Sequence, residues 1–297
     1  MTIRLGYACI NMYLQKNYKI TTNRGMIKRT FKKKGIAYAS ELAEHNTRNI
    51  LPILKWNRQN NIEVFRLTSC LLPWGSEYEI EELPDFKKIQ QNLQIAGEYA
   101  RNNNIRLSFH PGPFNILTSP KPRVVNGSVI DLKMHGKLMD LMGMPRNRWA
   151  KINIHIGATY GDKQSAIDRW CKNYDLLPDN VKCRITLEND DKASMYSTKD
   201  LYQVYERLGV PIVFDYHHHK FCTGDQTEEE ALKLAASTWG EIIPTCHFSE
   251  SKALNENLNV KPQAHSDYIL NKVNSYGLDL DVVFEAKAKE QSILKYR

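Results

Sequence analysis

The sequence predicts an α/β fold, a single (β/α)8 barrel over residues 1–297 with a metal site at the C-terminal ends of its strands. Three observations carry this reading. Short β-branched runs alternate eight times with amphipathic stretches, which argues for a parallel sheet with right-handed crossovers. The 297 residues accommodate one barrel of roughly 250 residues plus long loops. Histidines and carboxylates recur at the strand ends, the face on which such barrels carry their chemistry.

The strands are expected at Ile3–Ala8, Glu63–Leu67, Arg106–His110, Lys151–His155, Arg184–Leu187, Pro211–Asp215, Thr245–Phe248 and Val282–Glu285. The first follows directly from Met1, where no long apolar core of a signal peptide is present. Helices are expected at Ala39–Asn60, Phe86–Asn102, Leu132–Leu141, Gln164–Leu176, Thr198–Leu208, Thr227–Thr238 and Ser266–Tyr276. Pro52 should kink the first of these. Thr227 before Glu228, Glu229 and Glu230 suits a cap at the positive end of a helix dipole, and Gly209 with Pro211 closes the preceding helix. A doubly wound open sheet is the structural alternative. No internal repeat or domain linker stands out.

Composition narrows the class. The chain is 42% hydrophobic and 25% charged, which sets aside disordered and fibrous classes. Its net charge of +8 suits a polyanionic partner. The six cysteines form no Cys-x-x-Cys pair, so no zinc ribbon is signalled, and scattered thiols fit a reducing setting. No apolar run approaches the roughly 20 residues needed to span a bilayer. The expectation is an intracellular monomer in a DNA-containing compartment, without membrane contact.

The strand ends carry the chemistry. In order they present Tyr7, Arg66, His110, His155, Glu188, Asp215, His247 and Glu285. Seven of the nine histidines lie at or just after a strand: His110, His155, His217, His218, His219, His247 and His265. Imidazoles and carboxylates converging on one mouth are ligands for first-row metals, and the mixture suits more than one ion. Of the triplet at 217–219, at most one or two can face the site. His45 and His135 fall on helices and read as structural or exposed.

A long loop after the first strand, residues 11–37, is the second signal. It carries Lys16, Lys19, Arg24, Lys28, Arg29, Lys32, Lys33 and Lys34, interleaved with Tyr13, Tyr18 and Phe31. Cations of this kind contact phosphates and aromatic rings stack on bases; a solvated loop is the plainer account. Lys121 and Arg123 belong to the metal-bearing face, whereas Arg146 and Arg148 fall nearer the opposite one.

Several stretches, in order along nearly the whole chain, resemble the UV damage endonuclease family. They are Arg4-Leu5-Gly6-Tyr7 with Asn11, Phe65-Arg66-Leu67-Thr68-Ser69, Ser108-Phe109-His110-Pro111-Gly112 and Asn153-Ile154-His155-Ile156-Gly157. Thr186-Leu187-Glu188-Asn189-Asp190, Val213-Phe214-Asp215-Tyr216-His217-His218-His219, His247-Phe248-Ser249, Ala264-His265-Ser266-Asp267-Tyr268 and Glu285-Ala286-Lys287 follow. The family is related in architecture to endonuclease IV, a barrel with three metal ions. The resemblance implies that His110, His155 and Glu188 hold one divalent ion. Glu188 would bridge to a second, shared with Asp215, His247 and Glu285, and His218 with His265 would bind a third. Manganese is the expected metal, with magnesium or zinc as alternatives. The implied substrate is double-stranded damaged DNA, cut 5′ to a UV photoproduct to leave a 3′-hydroxyl and a 5′-phosphate.

The chain also departs from the family. A histidine shortly after Pro73, which follows strand two, is replaced by Glu77, which either still contacts a metal or leaves the position without that role. A lysine two residues before the strand-seven histidine, carboxylated in some members, is Thr245, which cannot be so modified. Pro113-Phe114 stands where the family often has Gln-Tyr, the pair that resembles a wedge inserted opposite the lesion. Tyr7, Asn11, Pro113, Phe114, Lys28, Arg29, Lys32, Lys33 and Lys34 are therefore the expected DNA contacts. The competing functions are an abasic-site endonuclease of the endonuclease IV type, a metal-dependent sugar isomerase, and a DNA-binding protein without catalysis.

Overall fold

Alternation of side chains along a parallel strand exposes two faces, and here both are buried. The computed structural model describes residues 2–256 and 259–297. Its strands are β1 (Ile3–Ala8), β2 (Val64–Leu67), β3 (Arg106–Phe109), β4 (Ile152–His155), β5 (Ile185–Glu188), β6 (Ile212–Asp215), β7 (Thr245–Phe248) and β8 (Leu280–Phe284). They pair in sequence order, all parallel, and β8 pairs with β1 to close the barrel. The doubly wound alternative is excluded by that closure.

Outward residues such as Leu5, Phe65, Leu107, Ile154, Leu187 and Phe214 join the main apolar core beneath the helices. Inward positions are small, polar or charged. The register carries them from strand to strand: Arg66 beside Ser108, Asn153 beside Thr186, His155 beside Glu188, Asp215 beside His247. Ala8, Val64 and Val283 form a small apolar cluster of their own at the axis. Gly6 is required there, because a Cβ would lie 2.1 Å from the Val64 carbonyl oxygen.

The helices are α1 (Met12–Tyr18), α2 (Lys28–Arg48), α3 (Ile50–Gln59), α4 (Phe86–Asn102), α5 (Pro122–Leu141) and α6 (Lys163–Tyr174), then α7 (Asp179–Lys182), α8 (Thr198–Leu208), α9 (Tyr216–His219), α10 (Glu228–Ser237), α11 (Lys252–Asn255) and α12 (Glu290–Tyr296). Capping boxes at Ser197 and Thr227 start α8 and α10, as the acidic first turn of the latter predicts. No helix among the described residues is long and apolar enough to cross a membrane.

Three expectations are corrected. The helical stretch Ala39–Asn60 is not one helix kinked at Pro52; it breaks at Asn49, and Pro52 sits in the first turn of α3. A proline costs little there, because first-turn N–H groups have no intrahelical acceptor. The Ser266–Tyr276 helix does not form. Its backbone is claimed instead by Glu250, which accepts from the Leu270 and Asn271 amides at 3.0 and 2.8 Å, and by the Tyr296 hydroxyl, which accepts from Val273. The loop of residues 11–37 is largely helical. Asn11 caps α1, and residues 28–34 form a basic helical arm set off from the rest of α2 at Gly35, whose φ of 66° and ψ of −162° favour glycine.

The lower end of the barrel is closed by charge. Asp281 accepts from Arg4 twice at 2.6 Å and from Arg106 at 2.8 Å, and both guanidiniums lie near the Trp149 ring. Removing one partner of a buried pair strands the other, which typically costs about 3–5 kcal/mol. Asp281→Ala should therefore lose about that much stability in urea unfolding. A loss below about 1 kcal/mol would show that the cluster is passive.

Candidate metal centre

The upper ring of inward positions brings six strand ends together. Glu188, nearly fully buried at the end of β5, is the centre. Its two oxygens serve two different sets. Oε2 lies 3.0 Å from His110 Nε2 and 3.0 Å from His247 Nδ1. Oε1 lies 3.5 Å from His218 Nδ1 and 3.9 Å from His155 Nε2. Each set of three residues has ligand atoms within 4.8 Å of one another, close enough to surround one ion. Proximity thus pairs His110 with His247 and His155 with His218, a different division from the one the resemblance implies.

The donor set fits a metal. Among the described residues, Glu188 Oε1, Asp215 Oδ2 and both nitrogens of His247 are sealed from solvent without a well-directed hydrogen bond. Such atoms are costly to bury unless something else satisfies them. Surrounding groups fix the ring orientations. His218 Nδ1 lies 2.9 Å from the Asn189 carbonyl, His265 Nδ1 lies 3.0 Å from that of Glu285, and His155 Nδ1 lies 3.1 Å from Asp190. Asn153, inward and two residues before His155, donates to Glu188.

Of the remaining expected ligands, Asp215 caps α9 through Oδ1, accepting from the His217 and His218 amides at 2.7 and 2.8 Å. Glu285 lies 3.3 Å from His247 Nδ1 and 3.6 Å from His265 Nδ1, and pairs with Arg66. His217 and His219 are buried and belong to neither ligand set, whereas His218 is a member of one. Glu77 belongs to neither set: it is exposed in a turn after β2. An acid on this exposed turn stays outside the cluster.

Two expected DNA contacts are corrected. Tyr7 and Asn11 are fully buried. The Tyr7 hydroxyl donates to Asn57 at 2.7 Å and accepts from Asn11 at 2.9 Å, a chain that ties β1 to α3 and the cap of α1. Neither can reach a base from there. Pro113 and Phe114, by contrast, are exposed on the β3–α5 loop, Phe114 to 85%. Lys28, Arg29, Lys32, Lys33 and Lys34 are all exposed on the arm. The arm is fixed to the β2–α4 loop by Phe31 stacked on Trp74, centroids 5.7 Å apart, and by the Trp74 indole donating to the Met26 carbonyl. A cavity of about 370 Å³ adjoins the ligands, lined by Pro111, Pro113, His155, Asp190, Met195 and His218. A larger groove of about 590 Å³ follows α1 and carries none of the ligand residues.

Arg66, Asn153 and Asp190 are the site residues that sequence reasoning left without a role. The signal for Arg66 and Asn153 was their even spacing from inward neighbours, visible only once the register is known.

The electrostatics favour cation binding. Burial opposes the Glu188 anion, but His247, His155 and His110 outweigh it and hold the carboxyl well below its usual range. Burial likewise opposes protonation of His155 and His218. Glu188 and Asp190 overcome it for the first, raising it to about 10, and Asp215 with Glu188 for the second, raising it to about 9. His110 goes the other way, pushed down to about 4 chiefly by burial. Both raised histidines hold a proton at pH 7 in metal-free protein and must shed it to coordinate. Affinity for a divalent ion should thus fall as pH drops below about 10, and uptake at pH 7 should release up to two protons, from His155 and His218. Calorimetric titration in buffers of different ionisation enthalpy reads this directly, and proton-neutral binding at pH 7 would contradict it.

Comparison with known proteins agrees with the geometry. The family model described as UV-endonuclease UvdE matches residues 3–297. A putative UV-damage endonuclease of Acanthamoeba polyphaga mimivirus is 32% identical over 304 aligned positions, covering 99% of this chain and 90% of the relative. The UV-damage endonuclease of Schizosaccharomyces pombe is 31% identical; the match covers 98% of this chain and 50% of that longer protein. The crystal structure of SacUVDE superposes with a TM-score of 0.86 at 29% identity, covering 99% of this chain and 96% of that one. With a closed barrel, the ligand cluster at its mouth and matches along its whole length, the chain belongs to the UV-endonuclease UvdE family.

Proposed function

We propose that this chain is a DNA repair endonuclease that cuts the phosphodiester bond 5′ to UV photoproducts in duplex DNA. The observation that carries it is the division of Glu188, one oxygen toward His110 and His247, the other toward His155 and His218. A carboxylate can join two cations in this way, and a neutral imidazole cannot. The ligands would be His110, His155, Glu188, Asp215, His218, His247, His265 and Glu285, for two or three divalent ions, manganese foremost. Bound there, divalent ions would supply a water of lowered pKa and stabilise charge on the phosphate. Asp190 and the Asn189 carbonyl hold two imidazoles in place for this, and Asn153 fixes the bridging carboxylate. No protein nucleophile is required.

Around this centre the surface suits damaged duplex. The five arm cations face solvent on one element, positioned to meet a phosphate backbone. Phe114 stands on the loop that follows the ligand His110, beside the cavity next to the ligands. A photoproduct weakens stacking, so opening the helix costs least there, and an aromatic ring can fill the gap.

Incubating purified protein and manganese with irradiated and unirradiated supercoiled plasmid, then mapping the nick, tests this reading. Nicking confined to irradiated plasmid, 5′ to the lesion and absent from folded Glu188→Gln protein, is expected. Equal nicking of both plasmids, or preference for abasic duplex, would overturn the substrate assignment. In the same assay Phe114→Ala should lose discrimination for damage by roughly tenfold or more, since stacking is worth about 1–3 kcal/mol per base. Its manganese content should be unchanged, and equal weakening on both duplexes would remove Phe114 from lesion reading.

The arm gives a separate prediction. Every cation withdrawn from a phosphate lowers the slope of log affinity against log salt by about 0.9. Neutralising Lys28, Arg29, Lys32, Lys33 and Lys34 together should flatten that slope on damaged and intact duplex alike. An unchanged slope would return the arm to the solvated surface.

A further inference from the structure

Eight inward positions form the upper ring, and Arg66 on β2 is the permanent cation among them. Its neighbour on β1 is Ala8. A methyl group at that position leaves the span above β1 open, so the arginine reaches across it to Glu285 after β8. Both side chains are deep in the mouth, 13% and 12% exposed. A guanidinium offers five N–H donors in a fixed plane. Among the described residues, the Arg66 guanidinium has one hydrogen bond, from Nη1 to Glu285. Nε and Nη2 are not among the buried nitrogens sealed without a partner, so both keep access to solvent. Burying an arginine merely to neutralise one carboxylate brings little stability. Planar donors left over beside a phosphate-handling centre have an obvious use, since the guanidinium fork matches phosphate oxygens.

We propose that Arg66 contacts the scissile phosphate, donating to a non-bridging oxygen while its other arm stays paired with Glu285. The inference rests on the nuclease reading and extends it to a residue outside the ligand set. As a water oxygen bonds to phosphorus, the bond from phosphorus to the 3′ oxygen breaks. That oxygen takes up one water proton, and charge gathers on the non-bridging oxygens in between. Arg66 meets that charge. The assignment separates two properties that a scaffold residue would link. Without the guanidinium, Glu285 is released and a competing positive charge is gone, so metal uptake is preserved or improved while hydrolysis suffers.

The experiment uses the full chain as wild type, Arg66→Met and Arg66→Lys, each checked for folding by circular dichroism. Chelator-stripped protein is titrated with Mn²⁺, and nicking of irradiated plasmid is followed under single turnover. Arg66→Met should bind Mn²⁺ at least as tightly as wild type and nick on the order of a hundredfold more slowly, the usual effect of losing one preorganised donor. Arg66→Lys, which keeps charge but loses the fork, should fall between; it carries the test alone if the methionine variant does not fold. Weaker Mn²⁺ binding in step with slower nicking would show an arginine that only holds Glu285, and undiminished nicking would show one that does nothing for hydrolysis. Either result overturns the proposal. If wild type cuts no DNA, the nuclease reading falls by itself. Inorganic phosphate titrated onto the manganese-loaded proteins then decides the anion contact: weaker binding by Arg66→Met sustains it, and equal binding ends it.

Discussion

Closing eight parallel strands into a ring sends every second side chain toward one axis, and the space there is too narrow for eight large apolar groups per layer. This chain meets the constraint with small residues at Gly6, Ala8, Val64 and Val283 and with polar groups that can satisfy one another. Once polar side chains occupy the axis, their charges must balance, since unpaired ions in a dry interior are far costlier than unpaired apolar groups. The metal centre is the upper end of that balance. Glu188, Asp215 and Glu285 face histidines and Arg66, while Asp281 below faces Arg4 and Arg106.

Lys151 shows how strict the balance is. It is fully buried with no hydrogen-bond partner for its amine, and burial, then Arg106 and Arg66, pushes its pKa down to about 7. The interior therefore tolerates a further amine only by leaving it close to neutral. The same reasoning explains the opposite behaviour of the histidines. His110 also touches Glu188, but burial, with Arg66 and His155 nearby, outweighs that carboxylate and keeps it neutral, whereas Asp190 beside His155 and Asp215 beside His218 add a second carboxylate and those rings hold protons. Two candidate ligands that hold protons would have to exchange them for a cation, which would couple metal binding at this site to pH.

Outside the ring, loops acquire position from a few anchors rather than from sheet pairing. Glu290 at the start of α12 accepts from the Met12 and Tyr13 amides, so the C-terminal helix holds the first turn of α1. Trp74 and Phe31 hold the basic arm against the β2–α4 loop. Glu250 ties down the segment that leads from His265 toward β8. Phe114 and the arm cations remain at the surface.

The alternating pattern, the strand ends and the convergence of His110, His155, Glu188, Asp215, His247 and Glu285 were legible in the sequence, because barrel closure turns one-dimensional period into a shared mouth. The capping box at Thr227 was legible for a similar reason, being local chemistry over four residues. What lay beyond sequence depended on distance between strands or on competition for hydrogen bonds. Tyr7 and Asn11 look like mouth residues by position, yet their mutual bond and Asn57 bury them. The stretch at 266–276 has helical spacing, but Glu250 and Tyr296 claim its amides. Glu77 has ligand chemistry without ligand placement, and Arg66 gained a partner only because Ala8 is small and β8 lies one strand beyond it. Sequence determined which residue types reach the mouth; the division of Glu188 between two pairs of histidines was decided by tertiary structure, because it follows from strand register and side-chain reach.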